Sequence, residues 1–269
     1  MIKNMTLGRY YPVKSLVHEI DPRIKIVVAV SLMITILLTN SYAIFVTLAC
    51  LILISIKFAR IPMAYVLKGL RPILFIIIST ASINIFLTSG IVLFEYGFIQ
   101  ITYEGVDRAA KLVFRIILLM TGTSLLTLTT TPITLTDGLE KLFSPLKVLG
   151  VPVHDFAMMI SISLRFVPVL LDEANRIMKA QASRGVDFQK GSIVKRVKNI
   201  VSIMIPLFVS VFKRGDELAV AMEARCYRGG EGRTKIRQLK IKTRDIAILF
   251  CIIAIQFILL YVQYLYILV

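Results

Sequence analysis

The stretch Asp172-Glu173-Ala174-Asn175-Arg176-Ile177-Met178-Lys179-Ala180-Gln181-Ala182-Ser183-Arg184-Gly185 decides how this chain is read. An amphipathic helical pattern runs through it and stops at a small residue, an arginine and a glycine. A second ending of this kind, Ala224-Arg225-Cys226, follows Asp216-Glu217-Leu218-Ala219-Val220-Ala221-Met222-Glu223. Both endings lie in a basic segment of an otherwise apolar chain. A greasy protein that offers two helix-end arginines to water is built to grip something there.

Working outward, 57% of the 269 residues are hydrophobic and the mean hydropathy is +0.80. Those values indicate a polytopic membrane protein rather than a soluble domain. The formal charge of +16 would suit a nucleic-acid binder, but its distribution does not. Residues 172–245 carry 17 Lys/Arg against 8 Asp/Glu, so a surplus of nine charges sits in about a quarter of the chain. Basic residues otherwise flank apolar runs, as in the inner loops of membrane proteins. Nucleic acid is therefore not an expected partner; the lipid bilayer is.

Cys50, Cys226 and Cys251 are scattered and form neither a disulfide framework nor a metal spacing. His18 and His154 lie far apart without cysteine neighbours, so no metal and no other cofactor is expected, and His18 is assigned to an N-terminal surface segment. The first 23 residues are polar and of mixed charge, unlike a signal peptide.

Apolar runs at 24–39, 42–56, 72–88, 112–128 and 246–269 predict five membrane spans, the early ones short against the roughly 20 residues that cross a bilayer. Only Asn40-Ser41 separates the first two, which makes a tight hairpin. Lys3, Arg9, Lys14, Arg23 and Lys25 precede or open the first span, and Lys57, Arg60, Lys68 and Arg71 fill the second loop without an acid. The 89–108 loop carries Glu95, Glu104 and Asp107 instead. The positive-inside rule then puts the N-terminus and the long basic segment in the cytoplasm and the 89–108 loop outside. Arg115, within the fourth span, either reaches the outer interface with Lys111 or faces a partner.

Residues 129–153 contain three prolines and two glycines and read as a broken, partly helical connection. From Asp155 the pattern continues without a polar break into 172–183, predicting one long helix. A second is predicted by Ile200, Ile203, Met204, Leu207, Phe208, Val211 and Phe212, which form one helical stripe. From Ile200 to Arg225 such a helix rises about 38 Å, with Pro206 able to bend it. The expected fold is an all-α integral membrane protein with about five transmembrane helices plus a cytoplasmic region bearing two long amphipathic helices. Its parts are a four-span N-terminal membrane domain (1–128), the cytoplasmic region (129–245) and a C-terminal span (246–269).

Arginine suits a docking pin, because its planar guanidinium carries five donors and stays charged. Between small neighbours it can enter a groove without steric competition, and the groove should be acidic or rich in carbonyls. Spacing alone leaves two plainer readings open. Arg184 and Arg225 complement the helix dipole with Gly185 as a C-cap residue, or they contact anionic lipid headgroups.

Three stretches resemble the transmembrane T component of energy-coupling factor transporters, which includes the cobalt-transporter permease subunits. They are Ser163-Leu-Arg-Phe-Val-Pro168 continuing to Ser183-Arg184-Gly185; Ile205-Pro206 through Asp216-Glu217 to Arg225-Cys226-Tyr227-Arg228; and Arg233-Thr-Lys-Ile-Arg237. His18-Glu-Ile-Asp21-Pro22-Arg23-Ile-Lys25 and the Thr129-Thr-Thr-Pro132 turn match as well. The resemblance implies that Arg184 and Arg225 each dock in a groove of one of two ATP-binding-cassette ATPases, identical or different. It places Ser183, Gly185, Ala224 and Cys226 beside them in the two motifs, which this family commonly writes Ala-Arg-Gly. Ser183 and Cys226 depart from that wording but stay small, and the backbone after Arg225 is less defined by sequence than that after Arg184. The resemblance further implies a membrane-embedded substrate-binding subunit, vitamin or transition-metal cargo such as cobalt or nickel, and residence in a prokaryotic cell membrane.

The chain has no GxxxxGK[ST] phosphate loop, so it is expected to be non-catalytic, with ATP hydrolysis in partner subunits. The main rival is a membrane enzyme acting on lipids, with the basic segment binding headgroups. It would need a carboxylate or histidine cluster, and Asp172-Glu173 and Asp216-Glu217 are the only obvious pairs. A stand-alone channel or carrier is disfavoured by the scarcity of charges within the spans. Small and β-branched patches such as Ile78-Ser-Thr-Ala-Ser-Ile83 and Thr121-Gly-Thr-Ser124 suit close helix packing, within the chain or with another membrane subunit.

Overall fold

The computed structural model describes residues 10–96, 99–188, 192–229, 239 and 241–268. Lys3, Arg9 and the Arg233–Arg237 stretch lie outside them. The chain divides into two compact units, one of residues 8–139 with 239–269 and one that includes residues 140–238.

In the first unit a short helix α1 (Leu16–Glu19) leads into α2 (Pro22–Leu38). Pro22 presets the first turn, and the Asp21 carboxylate accepts the Arg23 N–H at 2.9 Å. A turn at residues 39–41 reverses the chain into α3 (Tyr42–Ala59), as the Asn40-Ser41 break predicts. Helices α4 (Met63–Leu70) and α5 (Leu74–Leu87) are joined by a 3-10 turn at Arg71–Ile73 and form a bent rod, so the third span starts before the predicted Pro72. Strands β1 (Val92–Tyr96) and β2 (Ile99–Thr102) pair antiparallel where the sequence suggested only a loop. They lead into α6 (Tyr103–Thr129), the central helix, packed against α2, α3, α4 and α5. Gly105 admits this packing: a Cβ there would lie 2.9 Å from the Asn84 carbonyl oxygen of α5. The core gathers Ile44, Phe45, Leu48, Ile52 and Ile56 from one face of α3, with Ile36 of α2 and Leu118 and Leu128 of α6.

The last helix, α10 (Thr243–Leu268), runs parallel to α2. The Asp21 N–H donates to Asp245 Oδ2 (3.4 Å) at one end of the pair, and Gln263 Nε2 donates to the Leu38 carbonyl (3.0 Å) at the other. Polar residues seal the ends of this bundle. The buried Lys25 amine donates to the carbonyls of His18 and Thr129, both at 3.1 Å. Arg115 resolves to an internal role, donating to the Thr39 carbonyl (2.8 Å) and to Asn40 Oδ1 (3.0 Å), so it ties α6 to the α2–α3 turn. Lys111, one turn earlier, pairs with Asp107.

Helix α7 (Pro132–Leu142) and a 3-10 turn (Ser144–Leu149) occupy the predicted broken connection. The second unit is dominated by α8 (Val153–Ser183), which passes through Pro168 without a break, and α9 (Ile193–Ala224). His154 Nδ1 meets Glu140 Oε1 at 2.9 Å at the start of α8. Among the described residues five helices are long and apolar enough to cross a membrane: α3, the α4–α5 rod, α6, α8 and α10. The set differs from the predicted spans by one member. Helix α2 has 17 residues and rises only about 25 Å. Helix α8 qualifies because its apolar first half runs on from Val153.

Candidate functional site

Both arginine motifs stand at helix C-termini, where the last carbonyls lack partners inside the helix. At the end of α8 the Gly185 N–H donates to the Ala182 carbonyl (3.0 Å) and the Val186 N–H to that of Gln181 (3.1 Å). Gly185 sits at φ +87°. At the end of α9 the Cys226 N–H donates to the Glu223 carbonyl (2.8 Å) and the Tyr227 N–H to that of Met222 (3.0 Å), with Cys226 at φ +56°. These are two copies of one Schellman cap, in which a left-handed residue turns the chain back over its last turn. Arg184 and Arg225 hold the same place in each, with φ −83°, ψ 8° and φ −93°, ψ 13°. The backbone after Arg225 thus matches that after Arg184, although a cysteine stands where glycine would be unstrained.

Ser183, Arg184, Gly185, Ala224, Arg225 and Cys226 are all exposed. Among the described residues neither guanidinium meets a carboxylate. Both tips therefore present a charged fork framed by small residues.

Helices α8 and α9 pack together and run antiparallel. Gln181 Nε2 donates to the Ser202 carbonyl at 3.4 Å, while Glu173 meets Arg214 at 3.9 Å further along. Asn199 Nδ2 donates to the Asp187 carbonyl at 2.6 Å, pinning the turn after Arg184 onto the beginning of α9. Arg225 lies 26 residues beyond Asn199 along α9, so the two tips are roughly 39 Å apart at 1.5 Å per residue. The motifs are not brought together; they are held apart.

Sequence reasoning missed Asn199, Glu173 and Arg214 as positioning residues. The Asp-Glu pairs stood out instead as a shared lead-in to each arginine. One carboxylate of the first pair, Glu173, joins the two helices, and Arg176 on its own helix shares it at 3.8 Å. Asp172, Asp216 and Glu217 are exposed and distributed along the helices, not converged as a lipid-processing enzyme would need. The predicted stripe of α9 is split. Ile203 and Leu207 are half-buried, while Ile200, Met204, Phe208, Val211 and Phe212 remain exposed.

His18 lies in the N-terminal segment, half-buried rather than on its surface. Its Nε2 lies 3.0 Å from the Tyr11 carbonyl and its Nδ1 2.7 Å from Ser15 Oγ. Burial, the dominant cause, holds its pKa below the usual value; the hydrogen bond to Tyr11 opposes this and the Lys25 charge reinforces it. Among the described residues no group of three His, Cys, Asp or Glu side chains is placed to hold a metal ion.

These features define a class: a polytopic helical membrane protein with a two-helix unit that carries matched, widely spaced arginine caps. Residues 13–236 match the family described as cobalt transport protein, CbiQ. The chain is 50% identical over 248 residues to the energy-coupling factor transporter transmembrane protein EcfT of Ruminiclostridium cellulolyticum, covering 92% of this chain and 93% of that protein. It is 50% identical over 249 residues to EcfT of Heliobacterium modesticaldum (92% and 93%) and 44% identical over 254 residues to EcfT of Bacillus subtilis (94% and 96%). The chain therefore belongs to the CbiQ/EcfT family, the transmembrane components of energy-coupling factor transporters. It is a multi-pass membrane protein and a non-catalytic subunit, ATP hydrolysis being the work of separate ATPase subunits.

Proposed function

We propose that this chain transmits ATP-driven motion from two ATPase subunits to a membrane-embedded substrate-binding subunit that captures a vitamin or a transition-metal ion. The observation that carries the reading is the pair of matching caps presenting Arg184 and Arg225 roughly 39 Å apart. Tips so far apart cannot share one groove, so each seats in its own, one on each ATPase. The Ser183, Gly185, Ala224 and Cys226 positions keep bulk away from the two guanidinium groups. Closure of the ATPases on ATP then pulls on both ends of a braced helix pair, which shifts the substrate-binding subunit packed against this chain.

The parallel course of α2 and α10 supports the topology. With α3, the α4–α5 rod and α6 crossing between them, the segment from α7 to α9 must cross an even number of times. Helix α9 carries Lys195, Arg196, Lys198, Lys213, Arg214 and Asp216 and is too costly to place in hydrocarbon. Neither α8 nor α9 crosses, and residues 129–245 form a coupling domain between the spans of residues 1–128 and the last span, 246–269. The positive-inside rule favours a cytoplasmic side for that domain and the N-terminus.

The experiment is ATP-driven uptake by the reconstituted complex. Each hydrogen bond to a charged group is worth about 1.5–3 kcal/mol, so Arg184→Ala or Arg225→Ala weakens docking by roughly 10- to 100-fold. The double variant abolishes uptake. Normal uptake by the double variant refutes the assignment.

A further inference from the structure

The first unit contains a cavity of about 380 Å³ among α1, α2, α3, α6 and α10. Its inner wall is formed by residues such as Val28, Ala29 and Leu32 of α2, Leu125 of α6 and Ile252 of α10. Leu16 of α1 and Phe58 of α3, both exposed, stand at its rim. Three lining residues are polar; Ser55 and Thr129 spend their hydroxyl donors on backbone, and Lys25 two of its three. Lys25 donates to the carbonyls of His18 and Thr129, Ser55 to that of Leu51, and Thr129 to that of Leu125. Apart from the Lys25 end, the lining therefore offers hydrocarbon contacts alone.

Its size selects among hydrocarbons. An apolar cavity of about 150 Å³ accommodates one benzene molecule, so this one holds roughly a dozen carbons, a large part of a fatty acyl chain. Left empty, its lining would lose packing contacts. The surroundings supply the occupant, since α3, α6 and α10 are long and apolar enough to lie in a bilayer and the rim is open beside Leu16 and Phe58.

We propose that this cavity is a lipid site, holding one acyl chain of a bilayer phospholipid that enters past Leu16 and Phe58. The chain replaces a missing piece of core between α2 and α6, so the lipid is a structural component of the membrane unit. Gly122 and Ala29 keep the space open: a Cβ on Gly122 would already lie 3.0 Å from a Leu32 methyl. This proposal stands apart from the docking of Arg184 and Arg225.

The test is to reconstitute the complete transporter in liposomes containing a phosphatidylcholine with a diazirine on one acyl chain, irradiate, and map adducts by mass spectrometry. Adducts are expected on Val28, Leu32 and Leu125 as well as on the outward-facing Phe75 and Phe257, which are 79% and 72% exposed. Ala29→Phe, which fills the cavity, should abolish the first group and leave the second. Ala29→Leu serves the same purpose if the larger ring prevents assembly. Native mass spectrometry of wild-type protein in mild detergent should show a retained phospholipid that the filled variant lacks. Adducts confined to Phe75 and Phe257 in the wild type, or cavity adducts unchanged in a folded filled variant, overturn the proposal.

Discussion

The two arginine caps share one hydrogen-bond pattern but reach it with different residues. After Arg184 the left-handed position is filled by Gly185, which adopts positive φ freely. After Arg225 the same position is filled by Cys226, whose side chain costs about 1–2 kcal/mol there. The surroundings differ too. The first cap is braced by Asn199 on the next helix, and the second is followed by a segment that continues toward α10. A geometry met twice, once without strain and once against it, points to a requirement on the arginine rather than to the convenience of a glycine. Helix-dipole complementation needs only a cation in the last turn; it does not ask for the same backbone path twice.

The largest test of that equivalence is the pair of single arginine variants set beside the double. Equal losses of roughly 10- to 100-fold for each single variant, and a silent double, are expected in uptake assays. A single variant indistinguishable from wild type breaks the symmetry.

Next in size is Gly185→Val. A β-branched residue at φ +87° destabilises the cap by about 2 kcal/mol. Uptake should fall, and amide exchange at Val186 should accelerate, while exchange at Tyr227 stays unchanged.

Cys226→Gly should act in the opposite direction and more weakly. Relief of left-handed strain, offset by the entropy of glycine, leaves a gain of about 0.5–1 kcal/mol, read as slower exchange at Tyr227. Docking should be retained or improved, because Arg225 keeps its path.

The smallest effect lies in the other unit. His18 binds its proton less well in the fold than in the unfolded chain. Its contribution to stability is therefore complete above the unfolded value near 6.5 and is lost as pH falls through that value toward the lower folded one. Thermal unfolding in detergent should show this decline below about pH 6.5, and His18→Gln should flatten it.

Much of this was legible in the residues. The Asn40-Ser41 break marked the α2–α3 hairpin, and the unbroken pattern from Asp155 to Ser183 marked α8. Pro72 reads as a boundary and so hides the start of the third span, yet proline sits comfortably in the 3-10 turn that joins α4 to α5. The hairpin of β1 and β2 was missed although its residues have strand propensity and flank Gly97, because charge dominated the reading of that loop. At the two tips, the small residues beside Arg184 and Arg225 marked the helix ends, while a docking role came only from the family resemblance. The spacing of roughly 39 Å could not be read, since it depends on Asn199 and Glu173 holding the two helices antiparallel. Cys226 carried no sequence signal for a left-handed backbone; only the hydrogen bonds from Cys226 and Tyr227 reveal it.

The central claim is that each tip occupies its own motor groove. A photoactivatable amino acid at Ser183 or at Ala224, introduced one at a time into the assembled transporter, reports what each tip touches. One ATPase adduct is expected from each position, mapping to equivalent grooves on the two ATPase subunits. Adducts from both positions to one and the same ATPase subunit, or to lipid alone, would contradict it.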